Sequence, residues 1–417
     1  MEHAIWWHVY PLGFVGADTT GADRTPAHRL SHLEKWLEHA VRLGASGLAL
    51  GPVFASSTHG YDTIDHRRID PRLGDEEDFG RLVAAAHDRG LRVLLDGVFN
   101  HVGRDFPAFR RALDGGPETD WFARDGSGYA TFEGHHGLVA LDHGNPAVAD
   151  YVTDVMTHWL ARGADGWRLD AAYAVPARFW SAVLPRVRAA HPGAYLVGEV
   201  IHGDYAAVVA ETGLDSVTQY ELWKAIWSSL NDRNLFELAW ALDRHNGWLE
   251  TFVPQTFVGN HDVTRLASRL NDERHLAHAL VVLLTVGGTP SIYYGDEHAF
   301  RGTKEDRAGG DDAVRPAYPA DPVQLDEAGR PVFRLHQDLI GIRRRHPWLH
   351  RARTRVIDLA NEHLVYESTD GDHRLIVALN LSGTPLAHPS LESATVIGGS
   401  PEGHAVPANG WIVAASG

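Results

Sequence analysis

Short apolar segments recur along most of the chain, and each of them ends in polar or charged residues. Stretches in which apolar residues recur with helical periodicity separate these segments. This alternation is typical of βα units, in which each strand of a parallel sheet is followed by a helix. The eight segments that we interpret as strands begin at Ile5, Gly47, Arg92, Gly166, Ala194, Asp215, Gln255 and Pro290. Because eight such units close into a cylinder, the pattern predicts an α/β fold, the (β/α)8 or TIM barrel.

Two of the intervening stretches indicate where their helices start and stop. In the first, Thr25 can cap a helix whose first turn holds Pro26, and Gly44 ends it. In the second, Asn145 precedes an apolar helix face that continues towards Gly163. We expect both helices to pack on the outside of the barrel.

One connection, between the third and fourth predicted strands, is too long for a plain βα unit. Long loops are usually functional, so we interpret residues 102–141, which are rich in aromatic residues, as a short inserted lid domain. Residues 351–417 change to short alternating runs with Gly, Pro and Asn turns, which predicts a small C-terminal all-β domain. The catalytic barrel is assigned to residues 1–101 and 142–350.

Charge and cysteine content narrow the classes of partner. The chain has 54 acidic and 38 basic side chains and a formal net charge of −16. A protein with this much negative charge repels phosphate backbones and anionic lipids, so we expect neither nucleic acid nor a membrane as partner. The absence of cysteine excludes disulfides and thiolate chemistry. Because no basic run precedes an apolar stretch at the N-terminus, we expect a cytoplasmic protein.

Polar and charged side chains occupy the carboxyl ends of four predicted strands. In a parallel barrel these ends meet at one rim, where active sites lie. Burying a charge without a partner is costly, so charges at such positions indicate a function. The residues are Asp96, Asn100 and His101 after the third strand, Arg168 and Asp170 after the fourth, Glu199 after the fifth, and Asn260, His261 and Asp262 after the seventh.

Asp170 and Glu199 end consecutive strands, whose backbones lie ~4.8 Å apart in a parallel sheet. We therefore expect their carboxyl groups near the separation of ~5–5.5 Å that is typical of retaining glycosidases. Arg168 lies two residues before Asp170 and points to the same side, so we expect it to lower the pKa of Asp170 and keep that side chain ionised. Glu199 follows the apolar run Leu-Val-Gly and should be more desolvated, which suits a proton donor.

The same residues allow other interpretations. A single acidic residue at a strand end is often a helix cap or a loop anchor. For Asp96 we favour such a structural role, in which it pairs with Arg168 or with its own turn. Two histidines and two carboxylates at one rim would also suit zinc or iron, although the charge of Arg168 would oppose a cation there. The four candidate metal ligands are His101, Asp170, Glu199 and His261.

The motifs at these strand ends resemble those of one known family. DGVFNH, GWRLDAA, GEV and FVGNHD follow one another in the order that they have in the α-amylase family of glycoside hydrolases, with IYYGDE after them. The similarity covers essentially the whole chain. It implies that Asp170 is the nucleophile, that Glu199 is the general acid/base, and that Asp262 is a third carboxylate that holds sugar hydroxyls.

The resemblance also implies roles for residues around these carboxylates. Tyr61 in HGYD would stack on the glucose ring, and Arg315 would be a further sugar contact after the eighth strand. Asn100 is a calcium ligand in many members, so calcium is compatible with the chain, but no cofactor is required. The residues expected to bind hydroxyls of the same glucose are His101, Arg168 and His261.

These expectations describe a retaining hydrolase that cleaves short α-glucans or maltooligosaccharides through a covalent glycosyl-enzyme intermediate. Amylases of the family often carry Lys-His shortly after the nucleophile, whereas this chain has Ala-Tyr-Ala-Val from Ala172 to Val175, which argues against long polymers. A transglycosylase or a phosphorolytic enzyme is the alternative, and a non-catalytic carbohydrate-binding protein is a third interpretation. The expected partner is a small oligosaccharide, and a homo-oligomer is compatible with the sequence.

Overall fold

The computed structural model of the chain describes residues 3–126, 128–307, 309–325, 327–401, 403 and 405–415. Eight parallel strands form a barrel, and each overlaps one of the predicted strand segments. The prediction of a (β/α)8 barrel is therefore confirmed. The strands are β1 (Trp6–Val9), β2 (Gly47–Leu50), β3 (Arg92–Gly97), β4 (Gly166–Leu169), β5 (Tyr195–Gly198), β6 (Ser216–Val217), β7 (Gln255–Phe257) and β8 (Thr289–Tyr293).

The barrel closes between its sixth and seventh strands. The hydrogen-bonded order is β6-β5-β4-β3-β2-β1-β8-β7. A parallel bridge between Thr218 and Gln255 joins the two remaining edges, and the Gln219 backbone N–H donates to the Gln255 carbonyl at 2.9 Å. The carboxyl ends of all the barrel strands therefore face one rim.

Helices cover the outside of the barrel. Asn145 caps the helix after β3, because its side chain accepts from the Ala147 backbone N–H at 2.9 Å. Short helices at Pro11–Phe14 and Leu30–Glu34 precede the longer ones, and another, Leu266–Arg269, lies between the last two barrel strands. The longer helices are α1 (Leu37–Leu43), α2 (Glu76–His87), α3 (Pro146–Leu160), α4 (Ala177–Ala190), α5 (Tyr205–Thr212), α6 (Tyr220–Asp232), α7 (Phe236–Trp248), α8 (Leu276–Thr285) and α9 (Arg330–Arg345).

The first helical stretch begins later than predicted. Its helix starts at Leu30 rather than next to Thr25, and a break separates it from α1. The reason is a local turn, in which the carboxylate of Asp23 accepts from the Thr25 backbone N–H at 2.9 Å. The predicted end is correct, because Gly44 has a left-handed φ of 95° after the last helical residue.

The interior of the barrel is layered, because side chains alternate along each strand. Its amino-terminal layer is an apolar cluster in which Trp6 stacks on Tyr195 at a centroid distance of 6.2 Å. Trp6 leaves no room for a side chain at Gly47, where a Cβ would lie 2.3 Å from the indole. One layer higher, two residues further along their strands, the inward positions carry polar and charged groups. These groups are His8, Asp96, Arg168 and Glu199.

Irregular segments rise from the carboxyl rim. The predicted lid segment starts and ends on paired strands, His101–Gly103 and Leu138–Ala140. It also contains the helix Pro107–Leu113, the 3-10 turns Pro117–Trp121 and Phe132–Gly134, and a ribbon of Arg124–Asp125 and Gly128–Tyr129. A second ribbon, after β2, pairs Phe54–Ser56 with Thr63–Ile69.

The C-terminal part is an antiparallel sheet, which confirms the predicted all-β domain. Its strand order is β9-β10-β11-β13-β12. Leu386–Ala387 and Ala405–Val406 form a separate ribbon near the short helix Pro389–Glu392. No helix in the described residues has the length and apolar character needed to cross a bilayer. The sheet strands are β9 (Arg353–Leu359), β10 (His363–Thr369), β11 (Arg374–Asn380), β12 (Thr395–Gly399) and β13 (Trp411–Ala415).

Candidate active site

A buried guanidinium joins three carboxylates at the carboxyl rim of the barrel. Arg168 pairs in register with Asp96 of β3, and its Nη1 donates to both carboxylate oxygens of Asp96 at 2.7 Å. The same Nη1 lies 3.3 Å from Asp170 Oδ1, and Nη2 lies 2.8 Å from Glu199 Oε1. Asp96 is fully buried, and its pairing with Arg168 agrees with the structural role expected for it.

Glu199 is held by donors on both oxygens. Its Oε2 accepts from the Ala171 backbone N–H at 2.9 Å, and its Oε1 accepts from the Tyr220 hydroxyl at 3.1 Å and forms an ion pair with Arg168. Ala171 reaches this oxygen from a left-handed conformation with a φ of 45°, which is unfavourable for alanine. One of the donors that hold this carboxyl group therefore comes from a strained backbone position.

The ionisation of Asp170 differs from the expectation. Burial and the nearby Glu199 carboxylate raise the pKa of Asp170 well above its usual value, and Arg168 offsets this only in part. Arg168 lowers this pKa as predicted, but the net shift is upwards, so the expectation that the pairing keeps Asp170 ionised is wrong. The guanidinium divides its contacts among three carboxylates, and its longest contact is the one to Asp170. Two buried carboxyl groups this close hold one proton more readily than they both ionise.

The third carboxylate, Asp262, lies between two basic groups. Arg315 Nη2 donates to Asp262 Oδ1 at 2.9 Å, and His261 Nε2 lies 2.8 Å from Asp262 Oδ2. Burial alone would raise the pKa of Asp262, but His261 and Arg315 hold it well below its usual range. Arg315 also donates from Nε to the His261 carbonyl at 2.9 Å, so this candidate reaches the site from the segment after β8.

Tyr61 lies against His261 with its ring parallel. The interplanar angle is 2° and the centroids are 5.2 Å apart. The Tyr61 hydroxyl contacts His261 Nε2 and donates to Asp96 Oδ2 at 3.1 Å. A sugar that stacks on Tyr61 would therefore use the face opposite His261.

His101 and Asn100 follow β3 at the base of the lid segment. His101 Nε2 lies 3.0 Å from the Tyr61 carbonyl, and its Nδ1 lies 3.1 Å from the Asn100 amide nitrogen. The His101 ring stacks on Phe132 of the lid segment at a centroid distance of 4.7 Å. Both ring nitrogens therefore already contact protein atoms, while the ring borders the cavity described next.

A cavity of 410 Å³ brings these side chains together above the barrel. Six of the eight residues predicted as catalytic or sugar-binding line it, and Arg168 and His261 lie directly beneath. Sequence reasoning missed Tyr220, which follows the short strand β6, and also Glu133 and Tyr173, which sit in irregular segments without a motif. The six lining residues are Tyr61, His101, Asp170, Glu199, Asp262 and Arg315.

Metal ligation was the main competing interpretation of this rim. Among the described residues, two groups of three His, Asp or Glu side chains are close enough to share an ion. Neither includes any of the four candidate transition-metal ligands at the rim, where Arg168 instead places a positive charge between Asp170 and Glu199. The two groups are His39, Glu297 and His298, and His28, Asp75 and Asp78.

The family model for the α-amylase catalytic domain matches residues 9–362. The chain belongs to the α-amylase family. It is 30% identical to a cyclomaltodextrinase of Geobacillus thermopakistaniensis over 92% of its own length and 69% of that protein. It is 32% identical to neopullulanase 2 of Thermoactinomyces vulgaris over 85% of its length and 65% of that protein.

The fold of this α-amylase family member is also that of a solved debranching enzyme from Nostoc punctiforme. The TM-score is 0.84 and the sequence identity 26%, and the match covers 100% of this chain and 98% of that one. Family membership confirms that the protein is a glycoside hydrolase whose substrate is a small carbohydrate. The resemblance inferred from the strand-end motifs is therefore correct.

Proposed function

We propose that this α-amylase family enzyme cleaves short α-glucans, cyclomaltodextrins and maltooligosaccharides among them, with retention of anomeric configuration. The observation that carries the proposal is one guanidinium, Arg168, that contacts both Asp170 and Glu199 on the floor of a single cavity. Two carboxyl groups held by one guanidinium can act on the same sugar unit, as a covalent mechanism requires. The names of the two enzyme relatives support the substrate class.

Each carboxyl group has a distinct part in the proposed reaction. Asp170 attacks the anomeric carbon while Glu199 gives its proton to the glycosidic oxygen, and the leaving sugar departs as an alcohol. Glu199 then takes a proton from water, whose oxygen displaces Asp170 from the sugar. Asp262 stays ionised because His261 and Arg315 hold its pKa low, so it can accept hydrogen bonds from sugar hydroxyls throughout.

The other predicted sugar-binding residues divide into two groups. Tyr61, His101 and Arg315 border the cavity, whereas Arg168 and His261 act mainly by holding the carboxylates. A calcium ion at Asn100 stays a prediction, and no step of the proposed reaction needs it. The cytoplasmic location and a homo-oligomer also stay predictions.

Replacing the nucleophile tests the proposal. Asp170→Asn should lower kcat/KM on maltotriose by at least about 10³-fold, because the amide cannot form the glycosyl ester. The variant should still fold, because the neutral amide removes the free-energy cost of burying a carboxylate charge at this position. Product chromatography with and without added phosphate separates hydrolysis from phosphorolysis and sugar transfer. Near-normal activity of Asp170→Asn would show that Asp170 is not the nucleophile.

A further inference from the structure

Tyr220 approaches the proposed acid/base from the first turn of α6. Its side chain is buried, and its hydroxyl lies 3.1 Å from Glu199 Oε1. The same hydroxyl accepts from the Asn260 side-chain amide at 2.9 Å. Tyr220 carries no reacting carboxyl group, so its contact with Glu199 needs its own explanation.

The direction of this hydrogen-bond chain is fixed by a backbone group. The Asp262 backbone N–H, which can only donate, donates to Asn260 Oδ1 at 2.8 Å. The Asn260 NH₂ group therefore faces Tyr220 and donates to the phenolic oxygen. With that oxygen acting as acceptor, the Tyr220 hydrogen remains free to be donated to Glu199 Oε1.

The chain distinguishes the two oxygens of Glu199. Oε1 receives the hydrogen bond of Tyr220 and lies 2.8 Å from the positive charge of Arg168 Nη2, and both disfavour a proton on this oxygen. Oε2 receives one hydrogen bond, from the Ala171 backbone N–H. A transferable proton consequently has its place on Oε2.

We propose that Tyr220, oriented by Asn260, is a positioning residue that reserves Oε2 of Glu199 for the proton given to the glycosidic oxygen. This inference rests on the proposed function of Glu199. When the proton has left Oε2, the negative charge on the carboxylate is shared with the Tyr220 hydroxyl, Arg168 and the Ala171 N–H. The hydroxyl therefore stabilises the state that forms as the glycosidic bond breaks.

Other charged or titratable groups around Glu199 come from several elements. These groups influence the pKa of Glu199 equally in the parent enzyme and in a variant that changes only Tyr220. They are Asp96 from β3, Arg168, Asp170 and Tyr173 from β4 and the loop after it, and Asp262 from the loop after β7.

Tyr220→Phe tests the proposal, because it keeps the ring and removes the donor. Donation to a carboxylate favours its ionised form, so loss of the donor should move the alkaline limb of the kcat/KM profile to higher pH by about one unit. Activity on maltotriose should fall about tenfold or more. An aryl α-glucoside with a good leaving group needs little proton donation and should lose much less.

Tyr195→Phe is the matched control, since Tyr195 is the first residue of β5 and lines a separate cavity at the other end of the barrel. It should leave both the pH profile and the ratio of the two substrate activities unchanged.

Asn260→Ala is a second test variant, and it should shift the alkaline limb in the same direction as Tyr220→Phe. Agreement between the two variants guards against a folding defect in one of them. Equal losses on both substrates, or an unmoved alkaline limb, would overturn the inference. Normal activity of Glu199→Gln on maltotriose would instead contradict the proposed function itself.

Discussion

Arg168 is the residue on which the site depends most at the level of single side chains. It neutralises the fully buried Asp96 and reaches both carboxyl groups of the proposed reaction. The two-residue spacing before Asp170 correctly placed the pair on one side of the strand. Sequence could not show how deeply Asp170 is buried beside Glu199, and for that reason the predicted net pKa shift of Asp170 had the wrong sign.

Arg168→Met should lower the free energy of unfolding by about 3–5 kcal/mol, because it leaves the buried Asp96 carboxylate without its partner. Urea denaturation followed by circular dichroism measures this change. Arg186→Met is the matched control, since Arg186 pairs with Asp150 on the surface and should change stability by less than about 1 kcal/mol. Equal stabilities of the two variants would contradict the importance of the buried pair.

At the scale of elements, the barrel strands were predictable because each is a short apolar run and four of them end in charged motifs. The start of the first helix was not, since a turn around Asp23 competes with helical capping. Tyr220 was missed for a related reason. It lies just beyond β6, a strand of two residues, Ser216–Val217, and its contact with Glu199 depends on the fold.

The lid segment meets the loop after β4 at one polar contact. The Tyr173 hydroxyl donates to Glu133 Oε1 at 2.9 Å, and both residues border the cavity. Tyr173 stands in the stretch where many amylases carry Lys-His. We therefore interpret this bridge as a wall that limits the length or width of the substrate.

Glu133→Ala should open this wall and raise the ratio of kcat/KM on soluble starch to that on maltotriose several-fold. The reason is steric, because the carboxylate and its bridge to Tyr173 leave the cleft while Asp170 and Glu199 stay in place. Reducing-sugar assays on both substrates give the ratio. Glu118→Ala, in the same segment but paired with Arg111 outside the cavity, serves as control. A ratio that stays the same in both variants would contradict the interpretation.

At the scale of the whole molecule, the order of motifs along the chain sufficed to predict the fold class and the family. The motifs are local, whereas the cavity depends on contacts between distant segments, such as Arg315 with Asp262 and Glu133 with Tyr173. Contacts between the barrel and the C-terminal sheet are equally invisible in local motifs. His278 of α8 approaches the Gly410 carbonyl at 2.9 Å, and no pattern near either residue indicates this contact.

The anomeric configuration of the first product tests the central claim most directly. Two carboxyl groups that act on one glucosyl unit through a covalent intermediate return the configuration of the bond that is broken. Proton NMR during the first minutes of maltotriose hydrolysis, before mutarotation, should show the α-anomer at the newly formed reducing end. Initial appearance of the β-anomer would mean that water attacks directly, and would contradict the assignment of Asp170 as nucleophile.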